Sequence, residues 1–403
     1  MKKRDFLKIG AALGLGLPFL GHLLSGCSEE DINTELFDVN FDGKVLIVGA
    51  GAAGITAGYI LQRHNIDFEI IEASAVHGGR IKKTETLADF PIDLGAEWLH
   101  DEPSMLAQML RDDSIQDNVE MIEYAPPKIS VWRDGKLRKR NFFSNFYAEY
   151  KFKSTTWYDY FERYMIPGIQ RQIRYNQPVA AIDHSGSEVT VRTANNETFT
   201  GDRLILTVPL TILKNERIDF TPAFPADKTA ALEKVDMPDG VKVFIRFREN
   251  FYPDIAFEGG IIENGLGGAE GEKIYYNAAF RKDSDSNVLA LFTVGAPATV
   301  YATQPSEEAL MTYIMNELDE WFDGKASANY EAHVIQNWSA EPYIGGSYSH
   351  YEDEDVQSTL KRAIDNKIFF AGETYAPSAS IATVHGAALS AYDAVEALLK
   401  NEG

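Results

Sequence analysis

The chain has 403 residues, of which 45% are hydrophobic and 24% charged, and its formal net charge at pH 7 is −22. This length and apolar content suffice for the cores of two domains. The strong negative charge argues against nucleic acid and anionic membrane surfaces as partners, because both would repel the protein. Since Cys27 is the only cysteine, no disulfide can form within one chain.

The first 26 residues have the pattern of an export signal. Four basic residues within the first eight positions precede an apolar stretch from Ile9 to Leu24, which is too short to cross a bilayer comfortably as a helix. We therefore predict that residues 1–26 form a signal peptide. Its removal takes away four basic residues and one acidic residue, so the net charge of the remaining chain changes from −22 to −25.

The end of this segment predicts a lipid anchor. Leu24-Ser25-Gly26-Cys27 resembles a bacterial lipobox, in which cleavage before the cysteine is followed by its acylation. Residues 27–42 are polar and acidic and are expected to form a flexible tether. We thus expect an exported lipoprotein of the bacterial envelope, on its periplasmic side or at the cell surface, with a membrane contact only through the lipid on Cys27. Lys3-Arg4-Asp5-Phe6-Leu7-Lys8 resembles a twin-arginine signal with lysine in place of the first arginine, which leaves that route and ordinary Sec export open.

A dinucleotide-binding unit is predicted next. The apolar run 44–48 leads directly into Gly49-Ala-Gly51-Ala-Ala-Gly54. This pattern predicts a strand, a glycine turn, a helix from about Ile55 to His64, and a second strand over 67–71 that ends at Glu72. The helix N-terminus would face the phosphates of the dinucleotide.

Each residue of this unit has its own physical role. Gly49 permits the tight turn, Gly51 lets the backbone approach a pyrophosphate, and Gly54 lets the helix lie close to the strand. Glu72 would accept hydrogen bonds from the adenosine ribose hydroxyls.

The segments after Glu72 resemble those of the flavin-containing amine oxidase family, which includes monoamine oxidases, polyamine oxidases and histone lysine demethylases. Gly78-Gly79-Arg80 resembles the family's GGR segment, and the residues from Asp93 to His100 resemble its GAxWxH segment. Further matches occur in family order over about residues 43–398. They are the second adenine-contacting strand at Val179–Ile182, the TVPL strand at Leu204–Leu210, the FAGE motif at Phe369–Glu373 and the TVHGAxLS helix start at Thr383–Ser390.

This resemblance implies an α/β fold of mixed α+β character. A Rossmann-like FAD-binding domain is expected to be interleaved with a substrate domain built on a mixed β-sheet and a reduced helical part. The FAD-binding domain would draw on residues 43–100, 176–214 and 364–403. The substrate domain would draw on residues 101–175 and 215–363.

The resemblance also implies the residues that bind the cofactor. FAD is expected to be noncovalent, since Ser347 stands where monoamine oxidases carry the cysteine that bonds the flavin, and no metal is expected. The implied cofactor-binding residues are Gly49, Gly51, Ala53, Gly54, Glu72, Gly79, Arg80, Gly95, Ala96, Glu97, Trp98, Val179, Trp338, Gly372, Glu373, Thr383 and Val384.

Four residues are implied for the chemistry. Lys242 matches the family lysine that holds a water against flavin N5, although a lysine among alternating apolar residues is otherwise typical of a solvent-facing strand position. Tyr348 matches one wall of the family's aromatic cage, and Thr383 occupies the position of the second wall. His100 matches the histidine of polyamine-type oxidases, with a packing role as the alternative. His385, at the helix start, is expected to be structural.

The substrate half has its own predicted elements. Residues 241–247, 288–294 and 333–338 have the β-branched and aromatic content of strands. A helix is predicted over 306–322, with Ser306 as its cap. Its expected buried face consists of Leu310, Tyr313, Ile314, Leu318 and Trp321.

The sequence does not identify the substrate. Only 78 residues separate His100 from Val179, where relatives carry a longer helical insert, so we expect a smaller roof and a more open site. The resemblance implies hydride transfer from the α-carbon of an amine or polyamine to flavin N5, hydrolysis of the imine, and reoxidation by O2 with release of hydrogen peroxide. The alternatives are an L-amino acid or a desaturase-type substrate on the same scaffold, and a flavin-binding envelope protein without turnover.

Overall fold

The computed structural model describes residues 39, 41–112, 119–140, 149–258, 271–351, 354–377 and 380–400. The predicted signal peptide, Cys27 and almost all of the predicted tether lie outside these residues. In chain order, the strands are β1 (Lys44–Val48), β2 (Asp67–Ile71), β3 (Lys83–Thr84), β4 (Ile92–Asp93), β5 (Trp98–Leu99), β6 (Met121–Tyr124), β7 (Ile129–Arg133), β8 (Lys136–Arg140), β9 (Glu149–Phe152), β10 (Ile173–Arg174), β11 (Val179–Asp183), β12 (Val189–Thr193), β13 (Thr198–Gly201), β14 (Arg203–Leu206), β15 (Asp219–Thr221), β16 (Gly240–Phe247), β17 (Ile255–Glu258), β18 (Gly271–Asn277), β19 (Asn287–Gly295), β20 (Tyr330–Asn337) and β21 (Ile368–Phe370). 

The helices lie between groups of these strands along the chain. They are α1 (Ala52–Arg63), α2 (Met105–Leu110), α3 (Trp157–Tyr164), α4 (Ile166–Ile169), α5 (Leu210–Lys214), α6 (Ala226–Leu232), α7 (Ala296–Ala302), α8 (Glu307–Trp321), α9 (Lys325–Asn329), α10 (Glu354–Lys361) and α11 (Val384–Lys400), with single 3-10 turns at Gln170–Gln172 and Glu373–Tyr375. Within the described ranges, no helix has both the length and the apolar character needed to cross a membrane.

A parallel five-stranded sheet is the framework around the glycine turn. Its strand order is β10-β2-β1-β14-β21, and every adjacent pair is parallel. Residues 45–48 of β1 are at most 3% exposed, as expected for a parallel strand covered on both faces. Helix α1 begins at Ala52, three residues before the predicted start, and packs against α11. This strand, turn and helix place Gly49–Gly54 at the carboxyl edge of the sheet.

A mixed seven-stranded sheet is the second framework. Its strand order is β20-β16-β19-β18-β17-β7-β8, and β16 is antiparallel to both of its neighbours. Because side chains alternate along a strand, Val241, Val243 and Ile245 enter a core on one face. Lys242 and Phe244 therefore lie on the opposite face, where both are buried.

Three smaller sheets complete the described fold. A four-stranded sheet has the order β13-β12-β11-β15, β3 pairs with β4, and β9 lies between β5 and β6. The antiparallel pairing of β5 with β9 places Lys151 opposite Trp98. This pairing brings Lys151, from the shortened region after His100, next to the segment around Trp98, where flavin contacts are predicted.

Two predicted elements were wrong in detail. Strand β14 ends at Leu206 and α5 begins at Leu210, so the predicted strand over Leu204–Leu210 is part strand and part helix entry, since Pro209 lacks an N–H for a sheet ladder. Ser306 caps α8 as predicted, accepting a hydrogen bond from Ala309 N at 3.1 Å. Tyr313, however, is 40% exposed, because Met311 lies closer than Tyr313 to the centre of the buried arc.

The strands near the predicted domain boundaries also lie differently from the expectation. β10 belongs to the parallel sheet and β15 to the four-stranded sheet, although both fall in segments that the sequence assigned to the substrate domain. In its described part, the segment 101–175 contains strands β6–β10 and helices α2–α4, none longer than eight residues. Short strands and helices therefore form this segment, in which relatives are expected to carry a longer helical insert.

Candidate functional site

A large cavity lies between the glycine turn and the seven-stranded sheet. Its volume is about 810 Å³, which is within the range of small-molecule sites, roughly 300–1,000 Å³. Its walls include the turn after β1, the end of β2, the start of β11, the start of β16 and the start of α11.

The glycine turn presents its backbone to this cavity. Gly49 has a φ of +104°, a region that favours glycine. Gly54 approaches the turn so closely that an added Cβ would lie 1.9 Å from Gly49 O. Gly51 also lines the cavity, yet an added Cβ there would meet nothing within 4 Å. The backbone itself requires Gly49 and Gly54, whereas Gly51 leaves room for a ligand.

Glu72 is the buried acid at the end of β2. It is 7% exposed, and its carboxylate accepts hydrogen bonds from Ala50 N at 2.6 Å and Ser74 N at 2.8 Å. Burial raises the pKa of Glu72, while these backbone N–H groups oppose the shift. Each carboxylate oxygen keeps further acceptor capacity, so Glu72 can also receive a ligand hydroxyl.

Arg80 joins segments that are far apart in the sequence. Its Nη1 donates to Ser347 O at 2.7 Å and to Glu373 Oε1 at 3.0 Å. Glu373 also accepts a hydrogen bond from the Ser349 hydroxyl at 2.6 Å. Gly95 lies so close that an added Cβ would be 1.7 Å from Arg80 O. The GGR, GAxWxH and FAGE segments therefore form one assembly around the cavity.

Lys242 lies in the protein interior and is 2% exposed. Its Nζ donates to Asp93 O at 3.1 Å, Gly95 O at 3.0 Å and Glu97 Oε2 at 2.7 Å. Three acceptors can be satisfied at once only by the ammonium, because a neutral amine has two N–H bonds. Burial lowers the pKa of Lys242, and Glu97 opposes this shift. To contact a water at flavin N5, as the family resemblance predicts, Lys242 would have to replace one of these three hydrogen bonds. That contact stays a prediction.

The Glu97 carboxylate lies between two buried lysines. Its Oε1 contacts Lys151 Nζ, while Oε2 contacts Lys242 Nζ and accepts a hydrogen bond from the Tyr276 hydroxyl. Burial alone would raise the pKa of Glu97, but Lys151 and Lys242 lower it to about 2. Glu97 does line the cavity, with its carboxylate bound to protein cations.

Tyr348 and Thr383 line the same cavity. Burial, followed by the negative charges of Glu272 and Glu373, raises the pKa of Tyr348 well above its ordinary value, so the phenol stays neutral. The Thr383 hydroxyl donates to Ser380 O at 2.7 Å and accepts from Gly386 N at 2.9 Å. Thr383 thus caps α11 while it contributes to the cavity wall.

His100 lies at a more open part of the lining. Its side chain is 48% exposed, and Nδ1 is 2.5 Å from Glu149 Oε1. Partial burial would lower the pKa of His100, but Glu149 more than offsets this effect and raises it. His385, in contrast, is buried, and burial together with His100 lowers its pKa to about 3. His385 is therefore neutral at physiological pH.

The structure brings the predicted site residues to this cavity, with the exception of Gly54, which packs behind the turn. The lining also contains residues that the sequence analysis did not single out. Among them are Ser74, His77, Asn176, Gln177, Thr207, Arg217, Phe292, Pro342 and Tyr343. The motifs at Val179 and Leu204–Leu210 could have indicated Gln177 and Thr207. Phe292 reaches the site because β19 pairs with β16, which the sequence alone does not reveal.

Comparison with protein families identifies this architecture. The family model "Flavin containing amine oxidoreductase" matches residues 52–154 and 156–399. The chain belongs to this family. Membership implies a flavin cofactor, and the matched residues include nearly all of the cavity wall.

Relatives in the family include histone demethylases and polyamine oxidases. "Lysine-specific histone demethylase 1 homolog 3" of Arabidopsis thaliana is 32% identical over 213 residues, which cover 51% of this chain and 13% of that protein. Polyamine oxidase 1 of Zea mays is 28% identical over 241 residues, covering 57% and 46%. The chain thus spans less than half the length of these two relatives. Polyamine oxidase 3 of Oryza sativa subsp. japonica is 23% identical, with 85% of this chain and 86% of that protein covered.

Solved structures of amine oxidases share the fold. A putrescine oxidase bound to putrescine has a TM-score of 0.72 at 14% identity, covering 88% of this chain and 98% of that chain. Cyclohexylamine oxidase from Brevibacterium oxydans IH-35A has a TM-score of 0.73 at 14% identity, covering 89% and 99%. At this identity the likeness concerns the fold, and it confirms the predicted mixed α/β architecture.

The residues around the cavity fit a flavin dinucleotide. Gly51 leaves open space where the backbone would approach a pyrophosphate. Glu72 keeps acceptor capacity for ribose hydroxyls. Trp98 lines the cavity, and its buried indole Nε1 has no hydrogen-bond partner among the described residues.

Proposed function

We propose that this protein is an FAD-dependent oxidase of a small amine or polyamine. The observation that carries the proposal is that the glycine cradle and the Lys242–Tyr348 region belong to one cavity. The relatives support it, since they include polyamine, putrescine and cyclohexylamine oxidases by name.

FAD would be held without a covalent bond. The backbone at Gly49 and Gly51 and the N-terminus of α1 would bind the pyrophosphate, and Glu72 would bind the ribose. Ser347 cannot form a cysteinyl link to the flavin, and its hydroxyl donates to Pro238 O at 2.9 Å.

When bound, FAD would accept a hydride from the α-carbon of the amine. Lys242 fixes the backbone at Asp93 and Gly95 and so positions the lining segment that begins there. Tyr348 offers a neutral aromatic wall against which an amine nitrogen can be oriented. The capped N-terminus of α11 adds a positive dipole end to the same region.

An amine suits this cavity better than an amino acid. Among the described lining residues, the arginines are Arg80 and Arg217. Arg80 is ion-paired with Glu373 at 3.0 Å, and Arg217 is exposed, so neither is a buried cation free to bind a carboxylate. Glu272 and Glu373 lie near enough to raise the pKa of Tyr348, and their charge would favour a cationic group of the substrate beside the Tyr348 ring.

Anaerobic titration of the purified protein with a panel of amines tests this function. We expect a yellow protein whose oxidised flavin absorption bleaches with at least one amine, and hydrogen peroxide on readmission of O2, the proposed acceptor. L-Amino acids form the matched panel and should leave the spectrum unchanged.

Each contrary outcome has a distinct meaning for the proposal. Bleaching by L-amino acids alone would replace the amine by an amino acid substrate. Bound FAD that no compound reduces would indicate a flavin protein without turnover. A colourless protein that fails to take up FAD would overturn the proposal as a whole.

We also propose that the protein is a lipoprotein of the bacterial envelope, anchored through Cys27. Support comes from the basic, apolar and lipobox segments of residues 1–27. Cys27→Ser should yield an unprocessed or soluble form, whereas the neighbouring control Ser28→Ala should remain in the membrane fraction. Lipid labelling of the Cys27→Ser protein at the parental level would show the anchor to be wrong.

A further inference from the structure

The charge cluster behind Lys242 contains a second buried cation. Lys151, on β9, is 3% exposed, and its Nζ contacts Glu97 Oε1. The pairing of β9 with β5 places it opposite Trp98, which forms part of the cavity wall. Lys151 is therefore one side-chain layer away from the flavin-binding cavity.

The two lysines share their aromatic surroundings. Lys151 Nζ lies 5.3 Å from the ring centroid of Trp98 and 4.9 Å from that of Tyr276. Lys242 Nζ lies 5.4 Å and 5.9 Å from the same two centroids. These rings exclude water from both ammonium groups and stabilise them by cation–π contacts. Charges enclosed in this way are screened far less than charges at the surface.

The cluster carries more positive than negative charge. Lys151 and Lys242 together hold Glu97 ionised, so two ammonium groups share one carboxylate. Burial and the neighbouring Glu97 raise the pKa of Asp93 well above its ordinary value, which favours the uncharged acid. Lys282 adds a further basic group beside the cluster, where it donates to the backbone carbonyl of Phe152 at 2.9 Å.

Other carboxylates near the cluster bind groups outside it. Glu149 lies 2.5 Å from His100 Nδ1. Asp254, beyond the ring of Tyr124, accepts a hydrogen bond from Lys128 N at 3.0 Å. Among the described residues, Glu97 is the carboxylate that contacts both ammonium groups, so the two lysines exceed it by one positive charge.

We propose that Lys151, held in place by Glu97, is a second cation of the flavin site, and that with Lys242 it gives this end of the cavity a net positive charge that favours a more negatively charged flavin. The inference rests on the proposed function for the presence of FAD, but it requires no amine turnover. Glu97 is then a positioning residue that holds both lysines and partly offsets their charge.

The midpoint potential of bound FAD, measured against a reference dye, tests this proposal. Lys151→Met removes a cation and should make the potential more negative, by on the order of a tenfold change in the oxidised-to-reduced ratio, or about 30 mV for a two-electron couple. Glu97→Gln removes the anion and should shift the potential in the positive direction. Lys151→Arg keeps the charge and should restore the parental value.

Lys273→Met is the matched control. Lys273 is 6% exposed, contacts the carboxylates of Glu258 and Glu317, and has Tyr301 and Trp321 as aromatic neighbours. It lies on β18 of the seven-stranded sheet, which also carries Lys242, but outside the cavity lining. Its replacement should leave the flavin potential unchanged, although it also removes a buried cation.

Opposite shifts of the midpoint potential in Lys151→Met and Glu97→Gln would support the proposal, because a general loss of structure would not shift the potential in opposite directions in the two variants. Parental potentials in both variants would overturn it. If Lys151→Met fails to bind FAD, Glu97→Gln alone decides the test. An unchanged or more negative potential in that variant would then overturn the proposal. Loss of FAD from Glu97→Gln and Lys151→Arg as well would mark the cluster as purely structural. A parent that binds FAD but oxidises no amine would defeat the proposed function and leave this test intact.

Discussion

Glu72 and Glu97 line the same cavity, and both are buried, but the protein holds them in opposite ways. Glu72 accepts hydrogen bonds from the backbone N–H groups of Ala50, in the glycine turn, and Ser74, and burial raises its pKa. Glu97 binds lysines from two separate strands, which lower its pKa to about 2. The dinucleotide end is therefore built mainly from local backbone, whereas the Lys242 end is a network of side-chain charges from distant segments.

The largest expected effect lies in the charge network. Lys242→Met should lower the free energy of unfolding by about 3–5 kcal/mol, because a buried ion pair loses one partner and two backbone carbonyls lose their donor. Chemical denaturation of the apoprotein measures this change. Lys228→Met is the control, since Lys228 is equally buried but donates to the carbonyls of Thr359 and Leu360 instead of a carboxylate, and should cost less. A loss of unfolding free energy below about 1 kcal/mol in Lys242→Met would contradict this prediction, because it would mean that the buried network stabilises the fold no more than exposed ion pairs do.

The two glutamates should give opposite pH dependences of stability. The pKa of Glu97 is about 2 in the folded state and near 4.5 in the unfolded state, so its contribution is present above 4.5 and is lost as the pH falls toward 2, by up to about 3 kcal/mol. The pKa of Glu72 is raised, so its contribution is present below 4.5 and is lost as the pH rises through the folded value.

Denaturation of the apoprotein between about pH 3 and pH 7 separates these contributions. Relative to the parent, Glu97→Gln should lose less stability on acidification, and Glu72→Gln should lose more. Changes of the same sign in the two variants would contradict the contrast between a carboxylate held by lysines and one held by backbone.

Substitutions at two glycines of the turn should affect folding and ligand binding separately. Gly54→Ala places a Cβ 1.9 Å from Gly49 O and should destabilise the apoprotein by about 1–3 kcal/mol, less the gain of roughly 1 kcal/mol in helix propensity. Gly51→Ala meets nothing within 4 Å and should leave apoprotein stability unchanged while it weakens FAD binding. Unfolding curves and flavin fluorescence titrations measure the two effects. Parental FAD affinity in Gly51→Ala would show that the open space is not used by the pyrophosphate.

The smallest expected effect is at the open part of the cavity. Glu149→Gln should return the pKa of His100 toward its ordinary value, yet change stability by less than about 1 kcal/mol, because the histidine is half exposed and the pair is screened by solvent. An NMR titration of the histidine measures the pKa. Glu331→Gln, which breaks the exposed pair with Arg246, is the control and should leave His100 unaffected. An unchanged pKa in Glu149→Gln would mean that the pair does not persist in solution.

The contrast between the two ends also explains what the sequence could predict. The strand, the turn, α1 and Glu72 follow each other within a short segment, so residue types and spacing suffice to place them. The boundaries of β16, β19 and β20 were predicted to within a few residues because their apolar content is typical of strands.

The charge network could be predicted only in part. The family resemblance indicated Lys242, and its burial is confirmed. The resemblance predicts a cofactor contact at Glu97, which stays a prediction, and the motif position alone does not reveal that its carboxylate binds Lys151 and Lys242. Lys151 carried no signal at all, because its role depends on the pairing of β9 with β5 across about 50 residues of sequence.

The order in which the chain is made has a consequence for how the cavity forms. Its walls draw on residues from Val48 to Ala387, and α1 packs against α11, which begins about 320 residues later. At a translation rate of about 5–20 residues per second, α1 leaves the ribosome roughly 15–65 s before its partner helix is synthesised. During that interval the apolar faces of β1 and α1 lack their final cover, and only the glycine half of the cavity wall is present. The complete cavity wall is therefore present only after nearly all of these residues have been synthesised.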